Sequence, residues 1–269
     1  MYSFFHFVWL AICALLIAAA FVYLRRKRPP LKSVLSLACA GCVLSEVTKI
    51  LSVIELVPSA DGSAYYPYLE LQHLPFHLCS MQILFIFYAR FARNGPVKET
   101  LLAFMYPSCL IGALLAFMYP SCLIGALLAI LIPTTFSGTV DAREAFARPL
   151  TYQYFLYHTM LIIFGAYIPM SREIELRPRH YLSTMCIIVG AAFVSFYLNS
   201  AFAVPVYSSG TLLSVEYTTN FLFTAAPPID SIKLTELWHW FAYIGVLGVL
   251  AFGLVALLYI PVFRRAGRK

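Results

Sequence analysis

The run His73-Leu74-Pro75-Phe76-His77-Leu78-Cys79-Ser80 places two imidazoles and a thiol within eight residues. A thiol becomes a nucleophile when a neighbouring group lowers its pKa or takes its proton. Cys79 near His77 could therefore be a nucleophile activated by a histidine base, although packing alone also explains a cysteine in an apolar helix. His73 and His77, four residues apart, would suit two ligands of one metal if both stood on a helix. Pro75 between them pushes His73 to the helix boundary or beyond it. No second ligand pair of matching spacing follows, so neither a metal nor any other cofactor is implied.

Two further sets have the right types and spacing. In Thr151-Tyr152-Gln153-Tyr154-Phe155-Leu156-Tyr157-His158, Tyr154 and His158 share a helix face, with Thr151 one turn earlier. The nearby Tyr and Gln side chains can orient an imidazole, the support a general base needs. Glu46 and Lys49, at i,i+3 with Cys42 one turn before, can neutralise each other on one face; a purely structural pair is the alternative. Each ionisable group in an apolar helix costs roughly 2.5–3.5 kcal/mol on insertion scales, which makes it a functional candidate by default.

The elements that must carry these residues follow from composition. The chain has 269 residues, 61% hydrophobic and 12% charged, with a net charge of +7 and a mean hydropathy of +0.81. A soluble domain has about 25% charged and 45–50% apolar residues, so most of this chain is solvated by lipid. Fifteen of its 19 Lys and Arg lie in four runs: 25–32, 90–98, 172–179 and 264–269. Such runs beside apolar stretches mark cytoplasmic flanks rather than a nucleic-acid face.

Apolar stretches near the ~20 residues a bilayer requires occur at about 4–24, 33–54, 72–92, 101–133, 151–170, 181–204 and 238–263. The fold class expected is all-α: a single-domain, seven-helix polytopic membrane protein, N-terminus outside and C-terminus cytoplasmic. That topology places all four basic runs inside and implies the plasma membrane. No Lys or Arg precedes the first helix, so it does not read as a cleavable signal peptide.

The fourth stretch repeats itself, with LLAFMYPSCLIGA at 101–113 recurring at 114–126. Thirteen residues turn a helix by about 220° beyond whole turns, so equivalent side chains face nearly opposite ways. A duplication within one crossing, natural or artefactual, is expected, and its Cys109 and Cys122 are not independent. Cys39-x-x-Cys42 has redox spacing but lies in an apolar helix, where small residues at a helix contact explain it better. Under this topology His77, Cys79, His158, His239, Glu46 and Lys49 lie towards the outer surface, and Asn220 falls in the last outer connection. A polar pocket opening outward is expected.

Several of these segments resemble the YwaF-type integral membrane proteins. Leu74-Pro75-Phe76-His77-Leu78-Cys79 resembles their LPLHLC signature, Tyr154-Phe155-Leu156-Tyr157-His158 their FF-x-x-H segment, and Asn220-Phe221-Leu222-Phe223 their N-Y-M-F-L segment. Gly125 to Pro133 resembles their helix ending in a Thr-Pro or Phe-Pro step, and Trp238 to Pro261 is similar to their closing W-x-x-Y helix. The resemblance implies a relation to a eukaryotic multi-pass acyltransferase that remodels ether phospholipids, and to membrane threonine hydrolases of fatty-acid esters.

It thus implies lipid acyl transfer or ester hydrolysis, with His77 and His158 at matching positions. Membrane lipids are then the partners, and a phospholipid or other acyl ester is the substrate. The relative's nucleophilic Cys directly precedes the first His, where this chain has Phe76. Cys79 is accordingly expected as nucleophile, His158 as general base and His77 as orienting or oxyanion-stabilising group. Glu46, Lys49, Tyr154 and Asn220 would support them. A transporter or binding protein holding a solute or proton in the same polar layer is the alternative, and a structural membrane protein a third. A retinal protein is excluded, because residues 238–263 hold no Lys. The sequence sets no oligomeric state.

Overall fold

The computed structural model of the chain describes residues 4–118, 146–208, 211–227 and 232–267. Seven α-helices lie among them: α1 Phe4–Lys27, α2 Leu31–Val53, α3 Leu78–Phe91, α4 Pro96–Met118, α5 Pro149–Ser171, α6 Pro178–Ala201 and α7 Leu237–Ala266. All but α3 are long and apolar enough to cross a membrane. In lipid the backbone must satisfy its own hydrogen bonds, and a helix does so within one segment.

The expected third span at 72–92 is shorter than the hydropathy suggests. Leu74 is extended (ψ 149°), as a residue before proline prefers, and His77 is extended too (ψ 150°), so α3 starts only at Leu78. His73 therefore ends a separate 3-10 turn, Leu71–His73, and does not share a helix face with His77. The second half of the expected 101–133 span lies outside the described residues, including Pro120, Cys122 and the Gly125–Pro133 motif.

Two β-hairpins were not anticipated in an all-α chain. β1 (Glu55–Pro58) pairs antiparallel with β2 (Tyr65–Tyr68), and β3 (Val204–Ser208) with β4 (Thr211–Glu216). The first follows α2 and the second follows α6. They lie at one end of the bundle, because Phe221, beyond β4, packs on His77, beyond β2. The basic flanks gather at the other end, where Leu31 N–H donates to the Glu173 carboxylate at 2.6 Å and Arg179 pairs with Glu99 at 3.4 Å.

At the centre, α5 packs on α4, α2 and α1, while α6 and α7 pack on α4 and each other. Close approach needs small residues, since lipid supplies no hydrophobic drive between helices. Gly41 of α2 sits against Met160, and Gly165 of α5 against Cys109 and the Tyr106 carbonyl. Proline inside α4 has a partner as well. Pro107 has no N–H for the carbonyl of Ala103, four residues back, and the buried Tyr259 hydroxyl of α7 donates to that oxygen at 3.1 Å. Near the proline of α7, Pro261, Tyr106 donates to the Leu258 carbonyl at 3.0 Å.

Candidate functional site

The hairpin end of the bundle gathers most of the expected polar residues around the start of α3. His77 is the residue that caps α3, and its ring meets the Gln72 backbone. Its side chain makes no capping bond to the helix. The first turn of any helix has N–H groups without an intrahelical acceptor, here those of Leu78, Cys79 and Ser80; the first helical bond runs from Met81 N–H to His77 O at 2.9 Å. The half-buried Cys79 thiol meets the Ser80 hydroxyl and the backbone N–H groups of this turn. An anion or a developing oxyanion is favoured at such a place.

Three elements converge on this turn. From α2, Lys49 pairs with Glu46 at 2.7 and 2.9 Å, and its charge acts on both His77 and Cys79. From α5, the Tyr157 hydroxyl donates to the Cys79 carbonyl at 2.7 Å, and Tyr157 lies within electrostatic reach of Glu46, Cys42 and Cys109. From the α6–α7 connection, the fully buried Phe221 ring stands 5.1 Å from the His77 ring and 5.5 Å from Phe76.

The last contact rests on a strained loop. Leu222 (φ 50°) and Phe223 (φ 55°) are both left-handed, a conformation costing a non-glycine residue roughly 1–2 kcal/mol. Asn199, buried near the end of α6, holds it. Its amide donates to Phe221 O at 3.0 Å and Thr224 Oγ1 at 2.9 Å, and its oxygen accepts from Phe221 N–H at 2.8 Å and Thr219 Oγ1 at 3.0 Å. All four bonding positions of the amide are filled.

The expected residues separate accordingly. Glu46, Lys49, His77 and Cys79 are brought together. His158 is buried on α5, and its Nδ1 lies 2.6 Å from the Tyr154 carbonyl. A carbonyl only accepts, so Nδ1 carries the proton and the neutral ring's lone pair is on Nε2. The Tyr154 ring lies tilted by 50° against His158, with centroids 4.6 Å apart, and its hydroxyl donates to the Ala116 carbonyl of α4. From α5, Tyr157 thus reaches the Cys79 backbone, and His158 is next to it along the helix. Asn220 is a loop former: its amide donates to Ala226 O at 2.8 Å and its oxygen accepts from Ala225 and Ala226 N–H. His239 accepts from Glu236 N–H at the start of α7.

Sequence reasoning missed Tyr157, Asn199 and a buried chain below the thiol, in which Gln82 donates to Ser108 Oγ at 3.0 Å and Cys109 to Gln82 Oε1 at 3.5 Å. A glutamine and an asparagine inside apolar spans were the available signal. Among the described residues no group of three His, Cys, Asp or Glu is placed to hold a metal ion.

No curated protein and no solved structure matches the chain. One family does, the TMEM164 family, over residues 1–259. With nearly the whole sequence covered and six helices among the described residues able to cross a bilayer, the chain belongs to the TMEM164 family of multi-pass membrane proteins.

Proposed function

We propose that the protein moves or releases the acyl group of a lipid ester through a thioester on Cys79. One observation carries the reading: groups from α2, α5 and the α6–α7 loop converge on the turn that holds His77 and Cys79. The Cys79 sulfur attacks the ester carbonyl while its proton passes to His158, whose Nε2 holds the lone pair. The first-turn N–H groups of α3, with His77, stabilise the oxyanion. When the intermediate collapses, the ester C–O bond breaks, the proton returns to the departing alkoxide, and the acyl group remains on sulfur. An acceptor alcohol or water then cleaves the thioester and restores the thiol.

Glu46, Lys49, Tyr154 and Asn220 support this site. The likeness to YwaF-type proteins and their ether-phospholipid acyltransferase relative favours a phospholipid substrate. Seven crossings, with the N-terminus outside and the basic runs in the cytoplasm, open the site towards the outer leaflet of the plasma membrane.

The test is to incubate the purified protein with diacyl phospholipid in mixed micelles and examine the Cys79 peptide by mass spectrometry. An acyl adduct released by neutral hydroxylamine, absent in Cys79→Ala and slower to form in His158→Ala, is expected. Unchanged lipid turnover in both variants would overturn the proposal. Solute uptake by proteoliposomes that is lost in Glu46→Gln but kept in Cys79→Ala would replace it with transport.

A further inference from the structure

The strained loop between α6 and α7 is held from both helices. Leu222 and Phe223 are consecutive left-handed residues, neither of them glycine, and such a pair persists only where its surroundings over-determine it. Here the surroundings are side chains. Asn199 of α6 bonds both the N–H and the carbonyl of Phe221. From α7, Trp240 donates to Thr224 O at 3.0 Å and Tyr243 to Phe223 O at 2.7 Å. Asn199, Thr219, Phe221, Phe223 and Thr224 are all buried. Among the described residues, the ring contacts this loop makes outside α6 and α7 are those of Phe221 with His77 and Phe76.

His77 needs such a neighbour. Its ring meets the Gln72 backbone, and its side chain makes no bond to the helix it caps. An imidazole fixed at one nitrogen can still turn, whereas a second ring packed edge to face against it removes that freedom. The Phe221 ring meets His77 in this way, at 69° with centroids 5.1 Å apart. We propose that Asn199 and Phe221 are positioning residues for His77: the amide fixes the strained loop, and the loop sets the Phe221 ring as a wall that keeps the imidazole in one orientation beside the first turn of α3. Packing alone does not call for two left-handed residues, since a buried phenylalanine is equally well packed from ordinary backbone. The inference rests on the acyl-transfer reading, in which His77 stabilises the oxyanion at that turn, and it makes the reaction depend on α6. Neither residue makes or breaks a bond; what their loss produces is a misplaced imidazole.

The test has two independent readouts on the full-length protein in lipid–detergent micelles. In the first, all six histidines carry a carbon-13 label at Cε1, and the His77 resonance is assigned by its loss in His77→Gln. Wild type is expected to give one sharp His77 signal. Phe221→Leu and Asn199→Leu should each split or broaden it while the other histidines stay as in wild type. Phe223→Leu, which removes a buried ring from the same loop, should leave it sharp. In the second, acylation of Cys79 is followed in a single turnover at saturating diacyl phospholipid. Phe221→Leu should slow it about tenfold, and should add nothing in a His77→Gln background, because the two act as one unit. A single sharp His77 signal in both Phe221→Leu and Asn199→Leu would overturn the proposal. So would equal broadening in Phe223→Leu, or the same tenfold loss with and without His77. If wild type forms no acyl adduct at all, the acyl chemistry fails, and the imidazole signal alone decides the positioning.

Discussion

Gly165 and Gly248 are both glycines in apolar helices, yet they sit in opposite surroundings. A methyl at Gly165 would stand 2.9 Å from the Cys109 Cβ and 3.2 Å from the Tyr106 carbonyl, while one at Gly248 would meet nothing within 4 Å among the described residues. The same contrast holds for whole helices: half of the apolar window of α5 is buried, against 17% for α7 and 11% for α1. In lipid, hydrophobicity does not tell core from surface, because both are apolar. What separates them here is close approach and the pairing of polar groups, both concentrated in α2–α5 and the ends that meet them.

The largest expected effect follows from breaking the close approach. Gly165→Val forces α4 and α5 apart against backbone as well as side chain, and should destabilise by about 3 kcal/mol or more, read as a lower melting temperature in detergent. Next is the polar side of the contrast. Asn199→Leu takes the acceptor from the Phe221 N–H and the Thr219 hydroxyl in a buried loop, a cost of about 2–4 kcal/mol. Faster hydrogen exchange at residues 219–226 should accompany it, whereas Asn220→Ala, in a half-buried turn, should cost about 1 kcal/mol. A wild-type exchange pattern in Asn199→Leu would show that the strained Phe221 loop is held by something else.

How much of this was legible follows from the same physics. The long helices could be located from sequence because a bilayer demands about 20 apolar residues in a row, and hydropathy reports that directly. The start of α3 was not, since apolar residues also fill the extended stretch around Pro75. The hairpins escaped because strands of four to six residues between spans, such as Tyr65–Tyr68, have too short a pattern to register. Glu46, Lys49, His77 and Cys79 stood out as polar or reactive groups at the ends of apolar runs. Tyr157 did not, because only the direction of each side chain distinguishes it from Tyr152 and Tyr154. His158 and Tyr157, adjacent in sequence, point about 100° apart on a helix, a difference that no residue type encodes.

A smaller effect tests whether polar pairing also ties the exposed helix α7 to α4. Tyr259→Phe removes the bond to the Ala103 carbonyl that Pro107 leaves without its helical donor, and interhelical bonds of this kind in membranes are worth about 0.6 kcal/mol on average. In a Pro107→Ala background, where the helix can supply its own N–H, the same change should cost less, and equal costs in both would detach the tyrosine from the proline. Gly248→Ala, by contrast, should lie within about 1 kcal/mol of wild type on the stabilising side, since alanine favours a helix and nothing crowds it. A clear loss there would mean that the outer face of α7 has a partner.

The smallest expected effect lies outside the helices, in the turn between β1 and β2. Asp61 accepts from the hydroxyls of Ser59 and Ser63 and from the Ser63 N–H at 3.1 Å, beside Gly62 with its φ of 71°. These bonds favour the ionised carboxylate and hold its pKa down, from 3.8 to about 2. A group whose pKa is lowered by folding stabilises the folded form above its unfolded value and loses that contribution as pH falls towards the folded one. The turn should therefore loosen between about pH 4 and pH 2, seen as reduced protection of the Ser63 amide relative to its intrinsic exchange rate. Asp61→Asn should flatten that dependence. Because the strand residues of this hairpin are all exposed, the melting temperature of the bundle should not follow the same titration. If it did, the hairpin would be coupled to the packed centre, and the contrast between exposed and closely packed regions would fail at this end of the molecule.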